Sequence, residues 1–241
     1  MVKYVKILFF TAILVLIRGI VFSQYHLERK IASLDILFEK QYGLDQLLIN
    51  GIQYYNLYPK APGHAFFNEG EFKPGSVTIE NKVYDNLYIK YDIYNHRLVL
   101  YYNNSFGGIG QIVLHNQVID EFEMDDKIFK KYKFPEFGDR FYEVIADGKI
   151  LCLYYWEKRI VKNQGDVESY YKYTGQKKKT FLVISGTLYP YSGKRSFLKL
   201  FPKNQHSLIK QYIADNGINL KSASNQEIGE FIQYCGQLIG P

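Results

Sequence analysis

The sequence is poor in the residues that carry most recognisable chemistry. It has two cysteines in 241 residues, Cys152 and Cys235, too few for a disulfide framework. Its five histidines show no HxH or HExxH spacing, which argues against a zinc site. No GxSxG, SxxK or P-loop pattern occurs, and the glycines of residues 106–110 are not followed by Lys-Ser or Lys-Thr. No DxDxDG loop offers calcium a seat. Proline is scarce at seven residues, and neither a low-complexity tract nor an internal repeat is present, which excludes a disordered or solenoid chain. Beyond the first 23 residues no run of 18 apolar residues occurs, so no membrane-spanning helix is expected there. No motif requires a cofactor.

What the chain has in abundance is tyrosine and phenylalanine, 23 and 17 residues against one tryptophan. Aromatic enrichment with little proline favours a β-rich fold. The first 23 residues stand apart. Lys3 and Lys6 precede an apolar run over residues 7–17 closed by Arg18, and Val21-Phe22-Ser23 suits a cleavage site. That is the pattern of a secretory signal peptide cut before Gln24; an apolar run of eleven residues is short for a membrane anchor. Loss of that segment lowers the formal charge from +6 to 27 basic against 24 acidic residues, or +3. Export and this mild balance argue against a nucleic-acid partner. Residues 24–241 are expected to form a single β-rich domain with C-terminal helices at about 204–239.

Residues 73–103 organise the fold. Leu87, Ile89, Tyr91 and Ile93 alternate with polar or aromatic residues at the period of a half-buried strand. With Asn95-His96 as a two-residue turn, Ile93 falls opposite Leu98, Tyr91 opposite Leu100 and Ile89 opposite Tyr102. Earlier, residues 26–42 show weak helical spacing, and Asn50-Gly51 predicts a turn between strands at 47–49 and 52–55. Later, residues 111–115 and 118–124 predict a hairpin, 128–134 a strand ended by Pro135, and Asp147-Gly148 a turn joining 141–146 to 149–154. Both faces of that last pair are apolar: Phe141, Ile145, Ile150, Cys152 and Tyr154 on one, Tyr142, Val144, Leu151 and Leu153 on the other. A pair covered on both sides follows. A further hairpin joins 170–174 to 180–189.

Toward the end the period changes. A helical turn at 196–201 stops at Pro202. Asn204 can cap a helix bearing Leu208, Ile209, Tyr212 and Ile213, ended by Asn216-Gly217. Ser224 and Glu227 form a capping box before a stripe of Ile228, Phe231, Ile232, Cys235, Leu238 and Ile239. The fold class is therefore mainly β (α+β): an antiparallel meander, open or partly closed as a barrel or roll, with a C-terminal helical pair packed on the sheet. Packing accounts for both cysteines as free thiols, and a disulfide between them is the alternative.

Four features bear on chemistry. His64, in the Gly-flanked loop 62–67, is the candidate catalytic residue; without a visible partner, an imidazole hydrogen-bonded to backbone is the better explanation. The carboxylates Asp120, Glu121, Glu123, Asp125 and Asp126 suit a solvated edge strand. Lys177-Lys178-Lys179 suits a hairpin tip. Tyrosines can form a platform for sugars, yet most here alternate with aliphatics as core or cross-strand residues do.

Gly63-His64-Ala65-Phe66-Phe67, Gly75-Ser76-Val77, Lys90-Tyr91-Asp92-Ile93-Tyr94-Asn95 and Phe141-Tyr142-Glu143 with Gly148-Lys149 resemble exported β-rich proteins of the Bacteroidota. The resemblance spans most of residues 24–241, rests on turn and strand residues, and carries no established activity. It implies an envelope or secreted protein. The function expected is a non-enzymatic binding or interaction module of the cell envelope, periplasmic or secreted, whose partner is an envelope protein or glycan. The alternative is a hydrolase centred on His64.

Overall fold

The computed structural model describes residues 45–49, 51–103, 109–164 and 169–239. The expected signal peptide, the helix at 26–42 and most of the 106–110 connection lie outside them. Among the described residues, 45–49 belong to one compact unit and the rest to another.

In the first unit, α1 (Gln46–Ile49) replaces the strand expected at 47–49. The Asp45 carboxylate accepts the Leu47 N–H at 2.9 Å, and the Asp45 carbonyl accepts from Leu48 and Ile49. A three-residue apolar run does not distinguish helix from strand, and this local capping decides it.

The second unit is built on an open sheet of eleven antiparallel strands, in the order β1-β5-β4-β3-β2-β6-β7-β8-β9-β12-β13. It does not close into a barrel; β1 (Ile52–Gln53) and β13 (Thr187–Tyr191) are its edges. From β2 (Lys73–Ile79) the chain meanders through β3 (Lys82–Asp92), β4 (Arg97–Asn103) and β5 (Ile109–Val113). It then returns to the opposite side of β2 as β6 (Ile119–Met124) and meanders again through β7 (Lys127–Phe134), β8 (Gly138–Ala146) and β9 (Ile150–Glu157). The hairpin expected between 111–115 and 118–124 is thus absent. Instead β5 pairs with β4 and β1, and β6 pairs with β2 and β7, so its carboxylates lie on an interior strand and not an edge.

The organising hairpin forms with its register moved by two residues: Tyr91 faces Leu98, Ile89 faces Leu100 and Asp92 faces Arg97. A two-residue shift keeps every side chain on its face, so Ile89, Tyr91, Leu98 and Leu100 are all buried as expected. The cause is Asp92. Its carboxylate accepts the backbone N–H groups of Tyr94 and Asn95, the Asn95 amide and Arg97, holding a four-residue loop. Ile93 leaves the ladder; its N–H donates to the Ala65 carbonyl and its own carbonyl accepts from Lys158.

The β8–β9 pair carries a bulge between Val144 and Ala146 and is covered on both sides. On one face Ile150, Cys152 and Tyr154 join Leu182 and the C-terminal helices; on the other Tyr142 and Leu153 join Phe134, Phe181 and Leu188. Both cysteines are free and buried. The hairpin expected between 170–174 and 180–189 does not form. Those residues divide between a separate ribbon, β10 (Ile160–Lys162) with β11 (Tyr171–Tyr173), and β12 (Lys177–Ile184), which pairs with β9 and β13. Lys177-Lys178-Lys179 is therefore a strand segment, with Lys179 2.9 Å from Glu157 and Lys178 over the Tyr154 ring.

Helices α2 (Lys194–Leu198), α3 (His206–Asp215) and α4 (Asn225–Leu238) follow. A 3₁₀ turn at Lys203–Gln205 occupies the start of α3, so Asn204 does not cap it. The Ser224–Glu227 capping box is present. Asn225 and Trp156 each donate to the buried Glu143 carboxylate at 2.6 Å, tying α4 to the sheet. Burial pushes that carboxyl above the usual range. Among the described residues no helix is long and apolar enough to cross a membrane.

Candidate functional site

Three segments converge where β3 ends. The loop at 54–70 is laid against the β3–β4 turn by the Ile93 and Tyr94 N–H groups, both donating to Ala65 O, and by the Phe67 N–H donating to Tyr91 O. The β10–β11 ribbon is fastened to the same loop: Tyr173 N–H donates to Pro62 O at 3.0 Å and Ser169 Oγ donates to Lys60 O at 2.8 Å. Gly63 makes this approach with φ of +83°, and a Cβ there would stand 3.3 Å from Tyr173 Cβ.

This convergence gathers four tyrosines distant in sequence. Tyr58 meets Tyr171, Tyr94 and Tyr173 edge-on at centroid separations of 5.4, 6.2 and 6.4 Å, and Tyr94 meets Tyr173 at 5.6 Å. None is buried. Tyr170, 60% exposed, extends the group against Tyr171. Beside them Asp92, with no exposed surface, pairs with Arg97 at 3.2 Å. Burial, and then the Asp92 charge, pushes the Tyr54 and Tyr173 phenols up to about 12. The hydrogen bond that the Tyr94 hydroxyl makes to Tyr58, and then burial, raises Tyr94 as well. The Tyr54, Tyr94 and Tyr173 hydroxyls thus hold their protons at ordinary pH, so the face presents aromatic edges and neutral donors beside the buried Asp92. Such a face suits a polyhydroxylated ligand.

His64 lies beside this face, half-buried. Its Nδ1 accepts the Phe66 N–H at 3.2 Å, and its ring lies along Phe66. Lys158 Nζ approaches Nδ1 at 3.3 Å while donating to the His64 and Phe66 carbonyls at 3.1 and 2.7 Å. Burial first, then Lys158 and Lys90, lowers the affinity of the imidazole for a proton. Lys90 is enclosed by Phe66, Phe72 and Tyr54, at 4.0, 4.3 and 5.3 Å from the ring centroids. The charges acting on His64 are thus ammonium groups and not a carboxylate that would orient it as a base.

The acidic run is dispersed by the sheet. Glu121 pairs with Lys130 at 3.2 Å, and Asp125 and Asp126 form a turn with positive φ. Among the described residues no group of three or more His, Cys, Asp or Glu is placed to hold a metal ion. Sequence reasoning did not single out Tyr58, Tyr94, Tyr171 or Tyr173. One signal was available: residues 170–173, Tyr-Tyr-Lys-Tyr, contain no aliphatic partner that would mark the rings as core. Compared with protein families, curated proteins and solved structures, the chain matches none.

Proposed function

We propose that the chain is an exported, non-enzymatic binding module of the cell envelope whose tyrosine face takes a glycan. The observation that carries this reading is the partly exposed cluster of Tyr58, Tyr94, Tyr171 and Tyr173, brought together from three separate segments. Exposed aromatic rings held by backbone hydrogen bonds bind at low entropic cost, because little is left to order. Export rests on the pattern of residues 1–23. A hydrolase centred on His64 would need a nucleophile and an orienting carboxylate, and the side chains at its ring are Lys158 and Phe66.

The test is binding of the chain from Gln24 onward to envelope polysaccharide, measured by affinity electrophoresis or calorimetry. Tyr58→Ala and Tyr171→Ala should each cost about 1 kcal/mol of binding, roughly a fivefold loss. His64→Ala should leave binding unchanged. Binding that ignores both tyrosine substitutions, or a glycan hydrolysed in a His64-dependent way, would sink this reading.

A further inference from the structure

The β12–β13 edge of the sheet holds a second feature that the tyrosine face does not use. Pairing between β12 and β13 stops at Thr180 and Tyr191, so residues 177–179 have β9 as their sole strand partner. Where β13 would continue, the chain turns off at Ser192 into α2. A cavity of about 520 Å³ opens between the sheet edge, α2 and Leu220. That is the size range in which small ligands are held.

Its lining is mostly apolar, with Phe181, Tyr191 and Leu220 among the walls, and its charged members are Lys178, Lys179 and Lys221 with no carboxylate. Lys179 is committed to Glu157. Lys178 stands over the Tyr154 ring at 4.2 Å, and Lys221 is exposed. Neither has an ion-pair partner among the described residues. The surrounding chain has the same bias: residues 177–221 hold nine Lys or Arg against the single Asp215, a net +8 that exceeds the +6 of the whole sequence.

We propose that this cavity binds a single-chain anionic amphiphile, a long-chain carboxylate, with its alkyl chain on Tyr191 and Leu220, which share the helix-side face, and its head group at the Lys178 and Lys221 ammonium groups. The two halves of the site select this chemistry together. A small anion would leave the apolar walls wet, and an uncharged alkyl chain would leave the exposed Lys221 ammonium group without a counter-charge, whereas Lys178 already feels the Glu143 carboxylate. The site is separate from the tyrosine face, so either can fail without the other.

Dodecanoate, titrated below its micelle threshold, tests the proposal. The emission of Trp156, the only tryptophan, reports on it because its ring lies 5.9 Å from Lys178 Nζ. Saturable one-to-one binding is expected, weakened at least tenfold by Lys221→Glu and by Lys178→Gln. Lys221→Glu is at an exposed position and should leave the thermal melt unchanged, which separates lost binding from lost folding. Equal affinity for dodecyl maltoside would overturn the proposal, as would equal affinity for acetate. Dodecanoate binding indifferent to Lys221→Glu, or binding seen only with anionic lipid vesicles, would overturn it too.

Discussion

The imidazole of His96 sits between two phenols, its Nε2 2.6 Å from Tyr155 Oη and its Nδ1 3.4 Å from Tyr91 Oη. The Arg140 guanidinium donates to the same Tyr155 hydroxyl at 3.1 Å. Burial, with Arg140 nearby, pushes the His96 pKa down from 6.5 to about 4. The folded chain therefore binds this proton less well than the unfolded chain does. The stabilisation is complete above pH 6.5 and is lost as pH falls through the window to about 4, by roughly 3 kcal/mol. Glu143 has the opposite sign, since burial raises its pKa and its contribution declines as pH rises past the ordinary carboxylate range. The comparison must therefore be between parent and variant. His96→Asn keeps a residue that tolerates the observed φ of +54° and should flatten the fall in urea-measured stability between pH 6.5 and 4. Equal slopes in both proteins would show that His96 is not the titrating group. The turn expected at Asn95-His96 is there, and His96 takes a positive φ within it. That Tyr155, 59 residues away, meets its ring is not legible locally, because such contacts depend on strand order and not on local pattern.

At the scale of elements, legibility followed the locality of the signal. Helix α4 was plain because its capping box and apolar stripe both lie within its own residues, and both are present. Strands β3, β4, β7, β8 and β9 were visible from alternation and turn residues for the same reason. Helix α1 was misassigned as a strand, since a short run has too few residues to show a period, while the strand expected at 170–174 is present as β11 but pairs with β10 instead of 180–189. In α4, Phe231 has no exposed surface and packs against Phe197 and Tyr212 at 5.0 and 5.8 Å between ring centroids. Phe231→Ala should cost about 3–5 kcal/mol through lost burial and a residual cavity. Ser224→Ala removes one hydrogen-bonding partner of the capping box at an exposed end and should cost about 1 kcal/mol. Chemical denaturation of the two variants checks the ranking; comparable losses would mean that the cap, and not the stripe, holds the helix.

For the molecule as a whole, the return from β5 across to the far side of β2 decides which strands become neighbours. No periodicity encodes it: β5 and β6 alternate as two hairpin strands would, and only the competing partners β1, β2, β4 and β7 draw them apart. The tyrosine face inherits that opacity, because it exists only once the 54–70 loop, the β3–β4 turn and the β10–β11 ribbon have met. The same topology makes the sheet dependent on its helices. Ile150, Cys152, Tyr154 and Leu182 lie on the face that shares a core with Ile228, Phe231, Ile232 and Cys235, and α4 contacts both β8 and β9. Ending the chain after Ser222 removes α4 and the Asn225 partner of Glu143 together, leaving an apolar sheet face open and a buried acid half-satisfied. With a total stability of about 5–15 kcal/mol, an ordinary domain does not survive such a loss intact. The truncated protein should aggregate or become sensitive to limited proteolysis. If α4 were instead a detachable docking element, the shortened chain would stay monomeric and keep a cooperative melt, and that outcome would move α4 from the core to the binding surfaces.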